Sequence, residues 1–160
     1  MIILTGDATG RLLRYDPATG AAAVLASGLA FPDGVALSAD GTHLVVAETA
    51  RCRLLRHWLR GPRAGATEPF ADLPGYPDNV RLAGGDGSSS SYYWVALNRD
   101  KAWMEEGTTP RSVAAVRVRA ADGAVDRALR GLGNATVSEV VERPGGALWL
   151  GSVDTPYVGL

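Results

Sequence analysis

Three acidic residues each stand at the start of a short apolar stretch. Asp33 lies in FPDGVAL, Asp78 in YPDNVRL and Glu139 in VSEVVE. If the three stretches are equivalent strands of a repeated structure, their first residues converge on one cavity. Carboxylates held that close need a cation between them, or one of them takes up a proton with a raised pKa. The pattern therefore predicts a cation site, or a carboxyl group that acts as a general base near neutral pH.

The oxygen atoms in these segments suit calcium, which takes carboxylate and amide ligands. Asn79 follows Asp78 directly, so we predict Asp33, Asp78 and Asn79 as ligands of a calcium ion. A plainer interpretation stays open for the two aspartates, because Asp before Gly or Asn is a common turn signature. Glu139 has no turn residue beside it, and Glu is a poor strand former. We therefore predict Glu139 as the catalytic residue.

The elements that would position these acids are short strands that recur along the chain. The phrase RLLR occurs at 11–14 and again at 53–56, and VAAVRV at 113–118 starts a third hairpin of the same kind. A second kind of hairpin follows each copy, at 33–49, 78–98 and 139–152. Four short strands repeated in this way are typical of a β-propeller blade. A β-sandwich would not repeat the same pair of hairpins, so we predict an all-β fold, a β-propeller of four-stranded blades.

The repeats amount to about three blades. They are the outer strands of one blade (1–29), a whole blade (33–73), a second blade with an insertion (78–132, insertion 99–111) and the inner strands of the next (137–155). Closed propellers have about four to eight blades. We therefore expect a piece of a larger propeller, which needs further blades or another chain for closure. Closure matters because it removes exposed strand edges.

The insertion at 99–111 breaks the strand alternation and carries Trp103 and Met104. Loops on a rigid scaffold commonly hold binding residues. We predict the insertion as a lid over the central channel of the propeller, with Trp103 and Met104 contacting a small-molecule substrate. The alternative is a surface loop whose apolar side chains pack against the blade. Three other tryptophans lie inside predicted strands, where we expect them to pack between blades: Trp58, Trp94 and Trp149.

Composition excludes several classes of partner. Sixteen basic and 17 acidic residues leave a formal charge of −1, which gives no basis for binding nucleic acid or an anionic membrane surface. No apolar run reaches the roughly 20 residues of a transmembrane helix. The single cysteine, Cys52, excludes an internal disulfide. Asn134-Ala135-Thr136 is a glycosylation sequon and favours a secretory setting, although MIILTG at the N-terminus is too short for a signal peptide.

Several longer runs resemble one known family. FPDGVALSADGTHLVVAET, FADLPGYPDNVR, YWVALNRD and ALWLGSVDTPYVGL together resemble the strictosidine synthase-like family. Its members are six-bladed β-propellers related to calcium-dependent lactonases and arylesterases. The resemblance covers essentially the whole chain, and it implies a six-bladed propeller of which this chain is similar to the later half.

The resemblance implies a plant enzyme that acts on small molecules in alkaloid-type biosynthesis. In strictosidine synthases a glutamate shortly before an LWxG-type strand is the base of a Pictet–Spengler condensation between an amine and an aldehyde. This lyase reaction requires no cofactor. Glu139 matches that glutamate, and Val137 stands where those synthases carry a histidine two residues earlier.

The lactonase branch of the resemblance implies a second function, the calcium-assisted hydrolysis of esters or lactones. Asp33 and Asp78 match its metal-ligating positions. A third interpretation is a non-catalytic propeller that serves as a binding module, with purely structural channel acids. By resemblance we also expect a glycoprotein of the secretory pathway, in the vacuole or endoplasmic reticulum, with its glycan on Asn134.

Overall fold

The structure is a computed structural model and describes residues 6–84, 90–100, 113–132 and 136–153 of the 160-residue chain. Within these ranges it contains twelve β-strands and one short 3-10 helix, Thr49–Arg51. The strands are β1 (Gly10–Asp16), β2 (Ala21–Leu29), β3 (Pro32–Leu37), β4 (His43–Glu48), β5 (Arg53–Trp58), β6 (Thr67–Asp72), β7 (Gly75–Ala83), β8 (Tyr92–Asp100), β9 (Val113–Arg119), β10 (Val125–Arg130), β11 (Glu139–Glu142) and β12 (Leu148–Gly151). No helix in the described ranges is long and apolar enough to cross a membrane.

The strands form four sheets in which neighbours run antiparallel. β1 pairs with β2, and β11 pairs with β12. Between these pairs lie two four-stranded sheets, β3-β4-β5-β6 and β7-β8-β9-β10, in which each strand pairs with the next along the chain. Short alternating strands joined by Gly-containing and Asp-containing turns favour this meander. The predicted all-β class, with four-stranded antiparallel sheets, is confirmed.

The first strands of successive sheets lie against each other. A Cβ atom added to Gly34 would lie 2.6 Å from the Val80 nitrogen and 2.7 Å from the Asn79 Cα, so β3 approaches β7 more closely than a side chain would allow. The Asn79 N–H donates to the Ser138 carbonyl at 3.2 Å, which links β7 to the residue before β11. First strands that follow one another around a common axis define a β-propeller. Within the described residues of this chain the propeller is partial and unclosed.

Apolar side chains fill the space between neighbouring sheets. One buried cluster joins the two four-stranded sheets and includes Val45, Leu54, Val80, Val95 and Val116. A second cluster joins the third sheet to the fourth and includes Trp94, Ala96, Ala114, Val137 and Val140. Because side chains alternate between the two faces of a strand, each inner sheet has apolar residues on both faces and packs against two neighbours.

The sheets begin slightly earlier than the predicted blades. The second sheet runs over 32–72, one residue ahead of the prediction at both ends, and the third runs over 75–130. β7 starts three residues before Asp78 because Gly75 still pairs with Asp100 on β8. This pairing also extends β8 over the first two residues of the predicted insertion.

Three predicted functional residues cannot be placed by the structure. Trp103 and Met104, in the insertion, lie outside the described residues, and so does Asn134 of the sequon. The lid and the glycan therefore stay predictions.

The antiparallel meander gives the second sheet two distinct ends. β3 and β5 begin at one end, near Asp33, and we call it the acid end. The turns at 38–42 and 59–66 lie at the other end, which we call the arginine end because it carries Arg60 and Arg63.

Candidate functional site at the acid end

Asp33 and Asp78 lie in matching irregularities of their strands. The register of β3 against β4 shifts within 32–35, and that of β7 against β8 shifts within 77–80. At each shift, two residues of the inner strand stand opposite one residue of its neighbour, which is a β-bulge. A proline precedes each aspartate and cannot donate a ladder hydrogen bond, so regular pairing stops there. Bulges re-aim side chains, and here both carboxyl groups turn towards the same place.

The two carboxyl groups interact directly. Burial raises the pKa of Asp33 above its usual value, and a hydrogen bond with Asp78 partly offsets this. Burial also raises the pKa of Asp78, and the nearby charge of Asp33 raises it further. Asp78 is half-buried, whereas Asp33 is exposed on the surface, so the effect of burial is the weaker one at Asp33. Two carboxyl groups that share a hydrogen bond share a proton, or they need a cation to remain ionised together.

Two neutral side chains complete the surroundings of Asp78. Hydrogen bonds from Ser138 and Asn98 and from the Asn79 N–H lower the pKa of Asp78, but by less than burial and Asp33 raise it. Ser138 is 7% exposed. Its buried Oγ faces Asp78 without completing a hydrogen bond of normal geometry to any described residue. Because buried hydroxyl groups are normally satisfied, this oxygen has a free coordination direction at the carboxyl pair.

Glu139 is not among the groups that interact with Asp33 and Asp78, and its catalytic role stays a prediction. Val140 pairs with Leu150 in the same way that Val80 pairs with Val95. Counting back from these valines, Ser138 is the counterpart of Asp78, and Glu139 is the counterpart of Asn79. Among the described groups of the fourth sheet, the Ser138 hydroxyl group lies near Asp78.

The carboxylate of Glu139 is held by other partners. Its Oε2 accepts a hydrogen bond from Arg81 Nη2 at 2.6 Å, and its Oε1 accepts one from the Val140 N–H at 3.1 Å. The side chain of Glu139 is 26% exposed and that of Arg81 is 49% exposed. Both carboxylate oxygens are therefore engaged, in an ion pair that joins the first strands of two sheets near the surface.

Asn98, which the sequence prediction missed, provides a side-chain amide near Asp78, and Asn79 as a ligand stays a prediction. The backbone N–H of Asn79 bonds to Ser138 and supports Asp78, whereas the side-chain amide near Asp78 belongs to Asn98. A sequence signal for Asn98 exists. VVAET at the end of β4 and WVALN at the end of β8 are equivalent phrases, and their last residues are Thr49 and Asn98. Thr49 also reaches the neighbouring sheet, because its hydroxyl group donates to the Pro77 carbonyl at 2.7 Å.

A buried ion cluster holds the chain segment that enters Asp33. Glu48 is fully buried and accepts a hydrogen bond from the Ala30 N–H at 2.8 Å. Arg53 Nε lies 2.5 Å from the Glu48 carboxylate and Arg51 Nη1 lies 3.2 Å from it. The cluster ties the linker between the first two sheets to β4. It fixes the backbone two residues before Pro32 and so positions the bulge at Asp33.

The side chains at the acid end could supply a cation with oxygen ligands only. Among the described residues no three His, Cys, Asp or Glu side chains gather into a metal-binding group. Two carboxyl groups, one hydroxyl group and one amide do gather, from Asp33, Asp78, Ser138 and Asn98. Such hard oxygen donors suit calcium and do not suit zinc or copper. The arrangement can hold a hard cation or store one proton between two carboxyl groups.

The sheet order and the contacts between the first strands of successive sheets define a partial β-propeller. The family model for strictosidine synthase matches residues 1–62. Protein STRICTOSIDINE SYNTHASE-LIKE 10 of Arabidopsis thaliana is 35% identical over 186 residues, which cover 99% of this chain and 48% of the relative. Protein STRICTOSIDINE SYNTHASE-LIKE 13 of the same plant is 48% identical over 97 residues, 61% of this chain and 23% of the relative. The chain belongs to the strictosidine synthase-like family, and it spans about half the length of relatives such as the first.

Solved structures support the fold. A luciferin-regenerating enzyme matches with a TM-score of 0.63 at 15% identity, covering 94% of this chain and 48% of that one. Regucalcin from Agrobacterium tumefaciens, described as a calcium-binding protein, matches with a TM-score of 0.59 at 16% identity, covering 91% of this chain and 45% of that one. At these identities the likeness establishes a common fold and nothing about activity.

Proposed function

We propose that the protein binds a calcium-type cation at the acid end and hydrolyses small esters or lactones there. The observation that carries the proposal is the carboxyl pair of Asp33 and Asp78, each with its pKa raised by burial. The two groups lie on the first strands of neighbouring sheets. The charge of Asp33 also raises the pKa of Asp78. A divalent cation between them would remove this repulsion and let both groups ionise.

The residues present fit such an ion. Calcium takes six to eight oxygen ligands from carboxylates, amides, hydroxyl groups and water. Asp33 and Asp78 would supply charge, and Asn98 and Ser138 would supply neutral oxygens. Ser138 supports this assignment most specifically, because its Oγ is buried and lies at the Asp78 carboxyl group. Held by these residues, such an ion would supply Lewis-acid polarisation of a substrate carbonyl group.

The roles of the chain's own residues follow from their positions. The bulges in β3 and β7 hold the two carboxyl groups at the acid end, and the Glu48 cluster fixes the entry to β3. Glu48 is buried behind this surface and stabilises it without reaching a substrate. With both carboxyl groups ionised, one of them could accept a proton from an attacking water.

Activity assays with a chelator test the proposal. The protein should hydrolyse members of a panel of aryl esters and lactones, lose that activity in excess chelator and regain it with calcium. Asp78→Asn should abolish turnover while the protein stays folded. Asp72→Asn is the matched control, because Asp72 lies at the acid end of the second sheet and is exposed. Turnover that is indifferent to the chelator would rule out the calcium-assisted reaction.

A second candidate is the condensation of an amine with an aldehyde, with Glu139 as the general base. It rests on family membership and on the position of Glu139 before β12. Arg81 would have to release Glu139 before the carboxylate could take a proton, since both oxygens are engaged. Glu139→Gln should then abolish condensation of an arylethylamine with an aldehyde and leave the melting curve unchanged. A loss of folding without a specific loss of condensation would count against this role.

Localisation is a separate proposal. The sequon at Asn134 and the family suggest passage through the secretory pathway to the vacuole or endoplasmic reticulum. Expression of the protein in plant cells, followed by removal of N-linked glycans, should give a mobility shift that Asn134→Gln eliminates. An unchanged mobility in the wild-type protein would exclude the glycan.

A further inference from the structure

A cavity lies at the arginine end of the second sheet, at the end opposite Asp33 and Asp78. Its volume is about 550 Å³, and the turns that follow β3 and β5 form its walls. Three arginines surround it, Arg56, Arg60 and Arg63, together with Trp58 and Thr42. Neither the calcium site nor Glu139 uses any of these residues, so the cavity is independent of the proposed function.

Only one of the three positive charges is neutralised within the described residues. Arg63 pairs with Glu68 at 3.0 Å. Arg56 and Arg60 make no ion pair in the part of the chain that the structure describes. Arg56 Nη2 donates to the Ala120 carbonyl at a long 3.4 Å, and its Nε is buried without a partner among the described groups. A half-buried guanidinium with an unused donor is costly unless an anion completes it.

Aromatic rings fix the orientation of Arg56. Its guanidinium carbon lies 4.1 Å from the centre of the Phe70 ring and 5.3 Å from that of Trp58. Arg63 also lies over Trp58, at 5.4 Å, and the Trp58 indole N–H donates to Glu68 at 3.0 Å. Because two guanidinium groups already contact the Trp58 ring, a ligand here would be recognised through charge and hydrogen bonding more than through stacking.

The groups around Arg56 do not cancel its charge. Burial, and then the charge of Arg56, lower the pKa of His43, so its imidazole is neutral at pH 7. Burial raises the pKa of Tyr93 to about 12, so its phenol is neutral too. Glu68 stands opposite Arg56 on β6 but accepts hydrogen bonds from Trp58 and Arg63. Asp40 Oδ1 accepts hydrogen bonds from Ser38 and Thr42 in its own turn. His43 Nε2 and the Tyr93 hydroxyl group are also buried without partners among the described residues.

We propose that this cavity is a binding site for a dianionic phosphate group, with Arg56 and Arg60 as its principal ligands. Two un-neutralised guanidinium groups match two negative charges, whereas a monocarboxylate would leave one positive charge unmatched. Guanidinium groups bind phosphate through paired hydrogen bonds in a planar fork, and the Arg56 guanidinium at the cavity wall is held against Phe70 and Trp58. Thr42 adds a hydroxyl group to the lining.

Calorimetric titration of the chain with inorganic phosphate, a sugar phosphate and acetate tests the proposal. We expect saturable binding of at least one phosphate, about tenfold or more tighter than acetate, and weaker at high salt. Tighter binding of the sugar phosphate would identify a phosphate ester as the occupant, and tighter binding of inorganic phosphate would identify the free ion. Both results support the site.

Matched variants separate this site from general surface charge. Arg60→Gln removes an exposed charge at the cavity and should weaken phosphate binding about tenfold or more. Arg14→Gln removes an exposed charge from β1, away from the cavity, and should leave binding unchanged. Arg56→Gln should abolish binding, and Arg60→Gln keeps the test decisive if that variant does not fold. No saturable binding of either phosphate, or equal weakening by Arg14→Gln, would overturn the proposal.

Discussion

Asp78→Asn tests whether the acid end is a binding site or only a turn. The variant removes one charge from a pair of carboxyl groups within hydrogen-bonding reach of each other. If the pair exists to bind a cation, its charges oppose folding while no cation is bound. The variant should then be more stable than the wild-type protein in excess chelator at pH 7.

The expected gain is modest because the pair is only partly buried. Two unit charges about 4 Å apart repel by about 1 kcal/mol in water and by about 4 kcal/mol at the effective dielectric constant near a protein surface. Asp33 still contacts solvent, so we expect a value near the lower limit, about 1 kcal/mol of unfolding free energy. Calcium should stabilise the wild-type protein and have no effect on the variant.

The pH dependence supplies an independent check with a definite sign. The folded-state pKa values of Asp33 and Asp78 lie above the ordinary value of 3.8. The folded chain therefore holds these protons more tightly than the unfolded chain does. The stabilising contribution of the pair is complete below about pH 3.8 and is lost as the pH rises through the raised values. Asp78→Asn should flatten this part of the curve of stability against pH.

Urea unfolding in chelator and in calcium, from pH 4 to pH 7, measures all of these quantities. Asp72→Asn serves as the control for loss of an exposed acid at the same end. The reasoning fails if Asp78→Asn destabilises the chain by 1 kcal/mol or more in chelator, roughly the value of a lost turn hydrogen bond. That result would mean that Asp78 is a structural turn residue.

The remaining predictions concern the elements that position the site. Glu48→Ala should lower the unfolding free energy by about 2–4 kcal/mol, because the Ala30 N–H and two arginines lose their buried carboxylate partner. A change below about 0.5 kcal/mol in urea unfolding would contradict the role of the cluster. Gly34→Ala should lower the unfolding free energy by about 1–3 kcal/mol and weaken calcium binding, because the new Cβ would lie 2.6 Å from the Val80 nitrogen. An unchanged calcium affinity in calorimetry would refute the close packing of β3 on β7. Tyr92→Phe should cost about 1–2 kcal/mol by removing the 2.7 Å hydrogen bond to Glu142, with an unchanged thermal midpoint as the contrary result.

The fold could be predicted because its signals are local. Hairpins with alternating strands and Gly-containing turns recur along the chain, and a strand pairs with its sequence neighbour. Trp94 packs between sheets as expected. Trp58 and Trp149 do not follow the same prediction, since Trp58 lines the cavity at the arginine end and Trp149 is 47% exposed. Strand periodicity shows which residues share a face, but it does not show which face meets a neighbouring sheet.

The site could be predicted only in part, because its chemistry depends on single-residue register. The pairing of Asp33 with Asp78 follows from matching phrases, each ending in Val after the bulge. The sequence SEVV led us to align Glu139 with those aspartates. Aligning Val140 with Val80 instead places Ser138 at the position of Asp78. Asn98 was missed because it comes from the end of a different strand, and only the parallel between VVAET and WVALN would have shown it.

Calcium titration of the chain by isothermal calorimetry tests the central claim most directly. We predict one saturable site in the wild-type protein, no binding in Asp33→Asn or Asp78→Asn, and unchanged binding in Glu139→Gln. Absence of calcium binding in the wild-type protein would contradict the account, and so would a loss of binding in Glu139→Gln equal to that in Asp78→Asn.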